Sequence, residues 1–293
     1  MFEGFTVADI ETSGARIHLR HGGKGPPLLL LHGNPLTHIS WHKIADRLAD
    51  DFHVVATDLR GYGDSSAPED GENHINYSFR AMAYDQVEVM ENLGYRDFFV
   101  AGTDRGARTV HRMCLDHPDR VKKAAVIDIL PNHHIWTHTS KDWATRSWHW
   151  LFMIQPYDLP ERLMGSVPAE WFMQKKLSKS EIGLKPFAQE AFDEYVRCFT
   201  EKTIHASCED YRACASCDFE MDKADWENDW RVHCPLLVIW GSNSHTGRVY
   251  GDVLRIWENY AENVTGGPIK CGHYVQEEAP DECYRWLMKF FAG

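Results

Sequence analysis

The sequence has no apolar run long enough to cross a bilayer. Its strongest stretches, Leu28 to Leu31 and Pro235 to Trp240, fall far short of the roughly 20 residues a membrane helix needs. Cationic charge is scarce: Lys and Arg number 31 against 43 Asp and Glu, for a net charge of -12. An acidic surface repels nucleic acid and anionic lipid, so neither is expected as a partner, and an anionic ligand has to be drawn in by a local cluster of cations. No G-x-x-x-x-G-K-S/T and no helix-opening G-x-G-x-x-G is present, and no cofactor is expected. His133, His134 and His138 include an i, i+4 pair, but without H-E-x-x-H or an acidic third ligand they read as ordinary histidines, and no metal is expected.

The first twenty residues lack a basic segment followed by an apolar one, which removes the signal for secretion. The eight cysteines, Cys114 to Cys283, are then not a disulfide framework, and the expectation is a reduced, cytoplasmic protein. Cys214 and Cys217 form a C-x-x-C with no second pair at zinc spacing, so they read as two partly buried thiols beside a turn.

The 293 residues are 43% hydrophobic and 25% charged, the profile of a globular chain with one large or two small domains. Short apolar runs alternate with helical stretches through the first third. Strands are expected at Ala15 to Arg20, Pro27 to Leu31, Val54 to Ala56, Phe98 to Ala101 and Ala124 to Ile127. Helices are expected at about Trp41 to Leu48, Phe79 to Leu93 and Gly106 to His117. This alternation implies right-handed crossovers and a mostly parallel, buried sheet. From about Leu130 to Phe219 the pattern is helical, rich in Trp, His and Met. The sheet pattern resumes at Pro235 to Trp240, with a helix near Val253 to Tyr260, a strand around Pro268 to Lys270 and a last helix from Pro280 to Phe291. The expected organisation is an α/β core of residues 1–130 and 220–293 with a helical cap, 131–219, packed on it.

The chemistry centres on Gly102-Thr103-Asp104-Arg105-Gly106, a G-x-D-x-G turn between a strand and a helix. This is the nucleophile-elbow pattern with Asp in place of Ser: the glycines allow the sharp turn, and the helix N-terminus favours an ionised Asp104. A carboxylate nucleophile forms an ester that water must hydrolyse, so it needs a base. Gly272-His273-Tyr274 supplies a histidine at the expected chain position. The strand Pro235 to Trp240 ends in Gly241-Ser242-Asn243-Ser244, without an acid, whereas the strand before it ends in Asp128. Asp128 is therefore the expected partner of His273, with Asp252 the outside candidate. After the second strand, His32-Gly33-Asn34-Pro35 places a backbone N–H where, with that of Arg105, it can form an oxyanion hole.

The set HGNP, DLRGYGDSS, GTDRGARTVHRMCLDHP, VIDILP, SWHW, IHASCEDYRA and CGHYVQEEAP resembles the haloacetate dehalogenases of the α/β-hydrolase superfamily, particularly the fluoroacetate dehalogenases, over nearly the whole chain. The resemblance implies an α/β-hydrolase fold with a helical cap, Asp104 as nucleophile, His273 as base and Asp128 as its orienter. It implies Arg105 and Arg108 as a clamp on the substrate carboxylate, and His149, Trp150 and Tyr211 as donors to the leaving halide. A small anionic haloacid and water are the implied reactants, and a homodimer the implied assembly. The chemistry of the residues agrees: two guanidiniums near one helix start can converge on a carboxylate, and three neutral donors suit a small anion that appears as the bond breaks.

Two positions depart from the family. Many fluoroacetate-type members read H-G-F-P where this chain has Asn34. Haloalkane dehalogenases carry H-G-N-P and hold halide with that Asn and a Trp after the nucleophile, where this chain has Arg105. Asn34 is thus a candidate second halide contact. Trp148 stands where relatives have Tyr and bears on pocket width. An epoxide hydrolase would use the same nucleophile but needs cap tyrosines and has no use for two arginines. A non-catalytic ligand-binding protein is the remaining alternative.

Overall fold

The computed structural model describes residues 1–178 and 182–293. Eight strands form one sheet: β1 (Thr6–Glu11), β2 (Arg16–Gly22), β3 (Pro27–Leu31), β4 (His53–Thr57), β5 (Phe98–Thr103), β6 (Val121–Ile127), β7 (Leu236–Gly241) and β8 (Val264–Ile269), in the order β1-β2-β4-β3-β5-β6-β7-β8. β1 and β2 pair antiparallel, as do β2 and β4; every other neighbour is parallel. Helices cover both faces, so the central strands read as unbroken apolar runs: LLLL in β3 and LLVIWG in β7 are buried throughout.

The edges behave differently. In β1, TVADIE has one neighbour and no buried residue, so its alternation is too weak to announce a strand. β8 starts four residues before the expected Pro268 because Gly266 and Gly267 carry no apolar signal. Gly266 has φ +149°, and a Cβ there would lie 1.8 Å from the Val238 carbonyl oxygen, so close packing against β7 requires glycine.

The core helices are α1 (His42–Leu48), α2 (Phe79–Asn92) and α3 (Arg105–Asp116), within two residues of the expected limits. Ser78 caps α2, its hydroxyl accepting from the Ala81 N–H at 3.2 Å. Between β6 and β7 run, among the described residues, eight helices: α4 (Asn132–Thr137), α5 (Lys141–Arg146), α6 (Trp148–Met153), α7 (Leu159–Gly165), α8 (Ala169–Leu177), α9 (Gln189–Cys198), α10 (Glu201–Ala215) and α11 (Cys217–Glu227). After β7 come α12 (His245–Val249) and α13 (Val253–Trp257). α14 (Val275–Glu278) and α15 (Pro280–Phe291) close the chain. α12 and α14, of five and four residues, were not expected from the sequence.

The inserted helices sit on the C-terminal edge of the parallel strands, where an α/β sheet places its ligands. They are fastened there by polar contacts. Tyr195 of α9 donates to Glu277 Oε1 at 2.8 Å, and Lys202 of α10 donates to the carbonyls of Gly63 and Ser65 at 3.0 and 2.8 Å. No helix among the described residues is long and apolar enough to cross a membrane.

Candidate active site

Asp104 is the hinge between β5 and α3, with φ 49° and ψ -117°, a backbone setting that a non-glycine residue holds only under constraint. The constraint is close packing. A Cβ on Gly106 would meet the His32 carbonyl oxygen at 2.4 Å, and one on Gly33 would meet the Asp104 Cβ at 2.4 Å. Gly33→Ala is therefore expected to push Asp104 aside and lower kcat/KM about 100-fold, the effect of a displacement near 1 Å, with CD showing the fold retained. Undiminished turnover would show that the Gly33 contact does not set the Asp104 position.

The Asp104 carboxylate is held at both oxygens. Oδ1 accepts from the Asn34 backbone N–H at 2.9 Å, and Oδ2 lies 3.4 Å from His273 Nε2. His273 Nδ1 is 2.5 Å from Asp128 Oδ2, and Asp128 Oδ1 accepts from the Gly241 N–H at 2.9 Å and the Ser244 hydroxyl at 2.6 Å. The strand end that lacks an acid thus supplies the groups that orient the acid of its neighbour. Asp252 instead caps α13, accepting from the Arg255 N–H at 3.2 Å.

Burial acts to raise the Asp104 pKa, but the His273 hydrogen bond and charge, Arg105 and the Asn34 N–H outweigh it and hold the carboxyl well below its ordinary value. Burial likewise acts to lower His273, and the hydrogen bonds and charges of Asp104 and Asp128 overcome it, lifting the imidazole to about 9. Both shifts favour an imidazolium at His273 beside an ionised Asp104 in the free site. The loop carrying His273 is itself held, because Glu278 accepts from the N–H groups on either side of it, Gly272 at 2.6 Å and Tyr274 at 3.1 Å.

The two arginines differ in their surroundings. Arg105 is fully buried and its fork is occupied: Nε lies 2.9 and 3.1 Å from the two Asp210 oxygens, and Nη2 donates to the same carboxylate and to the Asp210 carbonyl. Only Nη1 remains, buried and without a partner among the described residues. Arg108 donates from Nη1 to the Leu130 carbonyl at 3.1 Å and lies 4.7 Å from the centre of the Trp150 ring. Its Nε is buried without a partner, and no carboxylate among the described residues pairs with it. Burial accordingly pulls the Arg108 pKa down. Of the two guanidiniums expected as a clamp, Arg105 thus keeps Nη1 without a partner and Arg108 keeps Nε, among the described residues.

A cavity of about 520 Å³ opens over these groups, lined among others by Asp104, Arg108, Asp128, His149, Trp150 and His273. Arg105, Tyr211 and Asn34 stand behind this lining. The Tyr211 ring meets Trp150 edge-on at 5.6 Å and His149 at 5.9 Å, and the Arg105 guanidinium lies 4.2 Å from its centre. The Asn34 amide turns to Ser207 Oγ at 3.1 Å and Tyr62 Oη at 3.4 Å, so its contribution at Asp104 is the backbone N–H. Trp148 lines the cavity and is 58% exposed, at its mouth.

Sequence reasoning did not single out Asp210, Ser244, Glu278 or Tyr250, whose buried hydroxyl lines the cavity without a partner among the described residues. Asp210 was within reach, since it precedes Tyr211 in the CEDYRA segment. The thiols of Cys214 and Cys217 are buried, Cys214 donating to Asn132 Oδ1 at 3.0 Å.

Residues 26–280 match the α/β hydrolase fold family. A fluoroacetate dehalogenase from Burkholderia sp is 39% identical over 293 residues, covering 100% of this chain and 95% of that protein. A soluble epoxide hydrolase from Corynebacterium sp. (strain C12) is 30% identical, covering 96% of this chain and 95% of that one. A protein from Nostoc sp PCC 7120, assigned to the α/β hydrolases, superposes with a TM-score of 0.96 at 51% identity, covering 99% of each chain. With its elbow aspartate, its β6-end acid and these relatives, the chain belongs to the haloacetate dehalogenase family of the α/β-hydrolase superfamily.

Proposed function

We propose that the protein hydrolyses the carbon–halogen bond of short 2-haloacids through an ester on Asp104. The observation that carries this reading is Arg108, a buried cation lining the same cavity as the nucleophile, with no carboxylate to pair with among the described residues. Burying an unpaired charge is costly, and a substrate carboxylate removes that cost on binding. A neutral epoxide or haloalkane would leave it in place.

With the carboxylate on Arg108 and on Nη1 of Arg105, the α carbon faces Asp104. Oδ1 accepts the shorter bond, from the Asn34 N–H at 2.9 Å, and Oδ2, 3.4 Å from His273 Nε2, is the more loosely held oxygen and the one that attacks. The C–X bond breaks as the C–O bond forms, and the halide leaves toward His149, Trp150 and Tyr211, whose donors act on charge that develops only in the transition state. Ester formation removes the Asp104 charge, so His273 gives its proton to solvent; the neutral ring, oriented by Asp128, then takes a proton from water, and the resulting hydroxide attacks the Asp104 carbonyl carbon. The Asn34 N–H stabilises the oxyanion; as it collapses the ester C–O bond breaks, the α oxygen leaves with the proton returned by His273, the hydroxy acid is released, and the Asp104 carboxyl ionises again.

The test is steady-state halide release from chloroacetate, fluoroacetate and chloroacetamide. Many turnovers on the acids and at least 100-fold slower release from the amide are expected. No release would make the chain a binding protein, release that stops at one equivalent would remove His273 as the base for ester hydrolysis, and equal rates on acid and amide would remove Arg108 from substrate recognition.

A further inference from the structure

We propose that Cys114 and Cys234 are a redox pair, which hydrogen peroxide converts into a disulfide that spans the whole helical insertion. Their sulfurs lie 3.9 Å apart although the two residues are 120 positions apart in the chain. A disulfide S–S bond is about 2.05 Å long, so each sulfur has to travel only about 1 Å, a small turn about its own χ1. The C-x-x-C that the sequence displays is engaged elsewhere. Cys214 donates to Asn132 Oδ1 at 3.0 Å, and Cys217 to the Ala213 carbonyl at 3.7 Å.

The backbone fixes both members of the pair. Cys114 lies in the last turn of α3, and Cys234 stands two residues before β7. On one side of Cys234 the Val232 N–H donates to the Tyr260 carbonyl at 2.9 Å, and on the other the Pro235 carbonyl accepts from the Ala124 N–H at 3.0 Å. The approach of the sulfurs is therefore set by the packed core. The two thiols are also unequal, as a stepwise oxidation requires. Cys234 is half-buried while the other seven cysteines are buried, so an oxidant reaches it first. The thiol–thiol contact and burial raise the Cys114 pKa, and the same contact lowers that of Cys234, which accordingly ionises first. Cys234 is thus the attacking sulfur and Cys114 the resolving one.

One peroxide balances the reaction. The Cys234 thiolate attacks a peroxide oxygen, the O–O bond breaks, and the departing hydroxide takes a proton from solvent to leave as water, with a sulfenic acid on Cys234. The Cys114 sulfur then displaces hydroxide from the Cys234 sulfur, and its proton goes with that hydroxide as a second water. Each sulfur is oxidised by one electron and each peroxide oxygen is reduced by one. The closed loop holds β6 and the described helices of the insertion, α4 to α11. Constraining so long a stretch of the unfolded chain stabilises the folded one. Cys114 is at the opposite end of α3 from Asp104, about 15 Å away by the rise of a helix, so the staple leaves the reacting groups in place.

The experiment treats the reduced protein with hydrogen peroxide at neutral pH and reads intact mass, a non-reducing peptide map and the melting temperature. A mass loss of about 2 Da, peptides joined through Cys114 and Cys234, and a melting temperature higher by roughly 4 to 8 °C are expected, all reversed by dithiothreitol. Cys114→Ser should deprive Cys234 of its resolving sulfur, so that Cys234 gains about 32 Da as a sulfinic acid, whereas Cys234→Ser should take up no oxygen at Cys114. A map that joins other cysteines, or none, overturns the pair. Oxidation of Cys114 in Cys234→Ser overturns the assignment of Cys234 as the attacking sulfur, and an unchanged melting temperature in the joined protein overturns the staple.

Discussion

A His273→Gln protein is expected to release one halide per site from chloroacetate and then stop, with the hydroxyacyl ester visible on Asp104 by intact-protein mass spectrometry. Attack by Asp104 needs only an ionised carboxylate, which the Asn34 N–H and Arg105 still favour, whereas hydrolysis needs a base. Removing that base should lower steady-state turnover by about 100- to 10,000-fold. Normal turnover would remove His273 from the mechanism.

The same array sets the pH dependence. In the free enzyme two carboxylates hold the imidazole near 9. Ester formation neutralises one of them, so the imidazole pKa should fall, and hydrolysis, which uses the neutral ring, should rise with pH to a midpoint below 9 in single-turnover measurements. Stability follows the opposite sign. The folded-state pKa of His273 lies above its ordinary 6.5, so its contribution is complete below 6.5 and is lost as pH rises through about 9. The depressed Asp104 contributes above its ordinary 3.8, and that contribution is lost on acidification. An unaltered alkaline limb in the melting temperature of His273→Gln would place the coupling elsewhere.

Arg108→Leu is expected to lose activity without losing stability. A charge-assisted contact to the substrate carboxylate contributes about 1.5 to 3 kcal/mol, so kcat/KM on haloacids should fall by roughly ten- to a hundred-fold. The free protein, relieved of an unpaired buried cation, should melt at the same temperature or higher, as calorimetry would show. Arg105→Leu should behave oppositely, because it strands the Asp210 carboxylate in a buried position at a cost of about 3 to 5 kcal/mol. Equal destabilisation in both variants would mean that Arg108 is structural.

The catalytic order was legible because its signals are local. Gly102 and Gly106 bracket Asp104, and the missing acid after β7 left Asp128, the residue directly after a recognisable strand. What escaped depends on distance in the chain. Nothing in the sequence pairs Arg105 with Asp210, 105 residues on, so two arginines near one helix start read as twin clamps. Glu278 escaped for another reason: it lies in a four-residue helix and binds backbone N–H groups, which leave no pattern. β1 was missed because an edge strand with no buried residue lacks the apolar run that reveals its neighbours.

The buried Arg105–Asp210 pair also governs how reactants come and go. It joins the first residue of α3 to α10, and Asp210 also accepts from Tyr62 at 2.6 Å, so the inserted helices are bolted to the sheet at the reacting centre itself. Lifting them as a rigid flap would break that pair. At about 3 to 5 kcal/mol, such an open form would be populated in less than about one molecule in a hundred. Among the described residues, reactants then pass between the helices past the exposed rings that line the cavity, Trp148 and Trp171, so the size of acid admitted should follow substitutions at those rings.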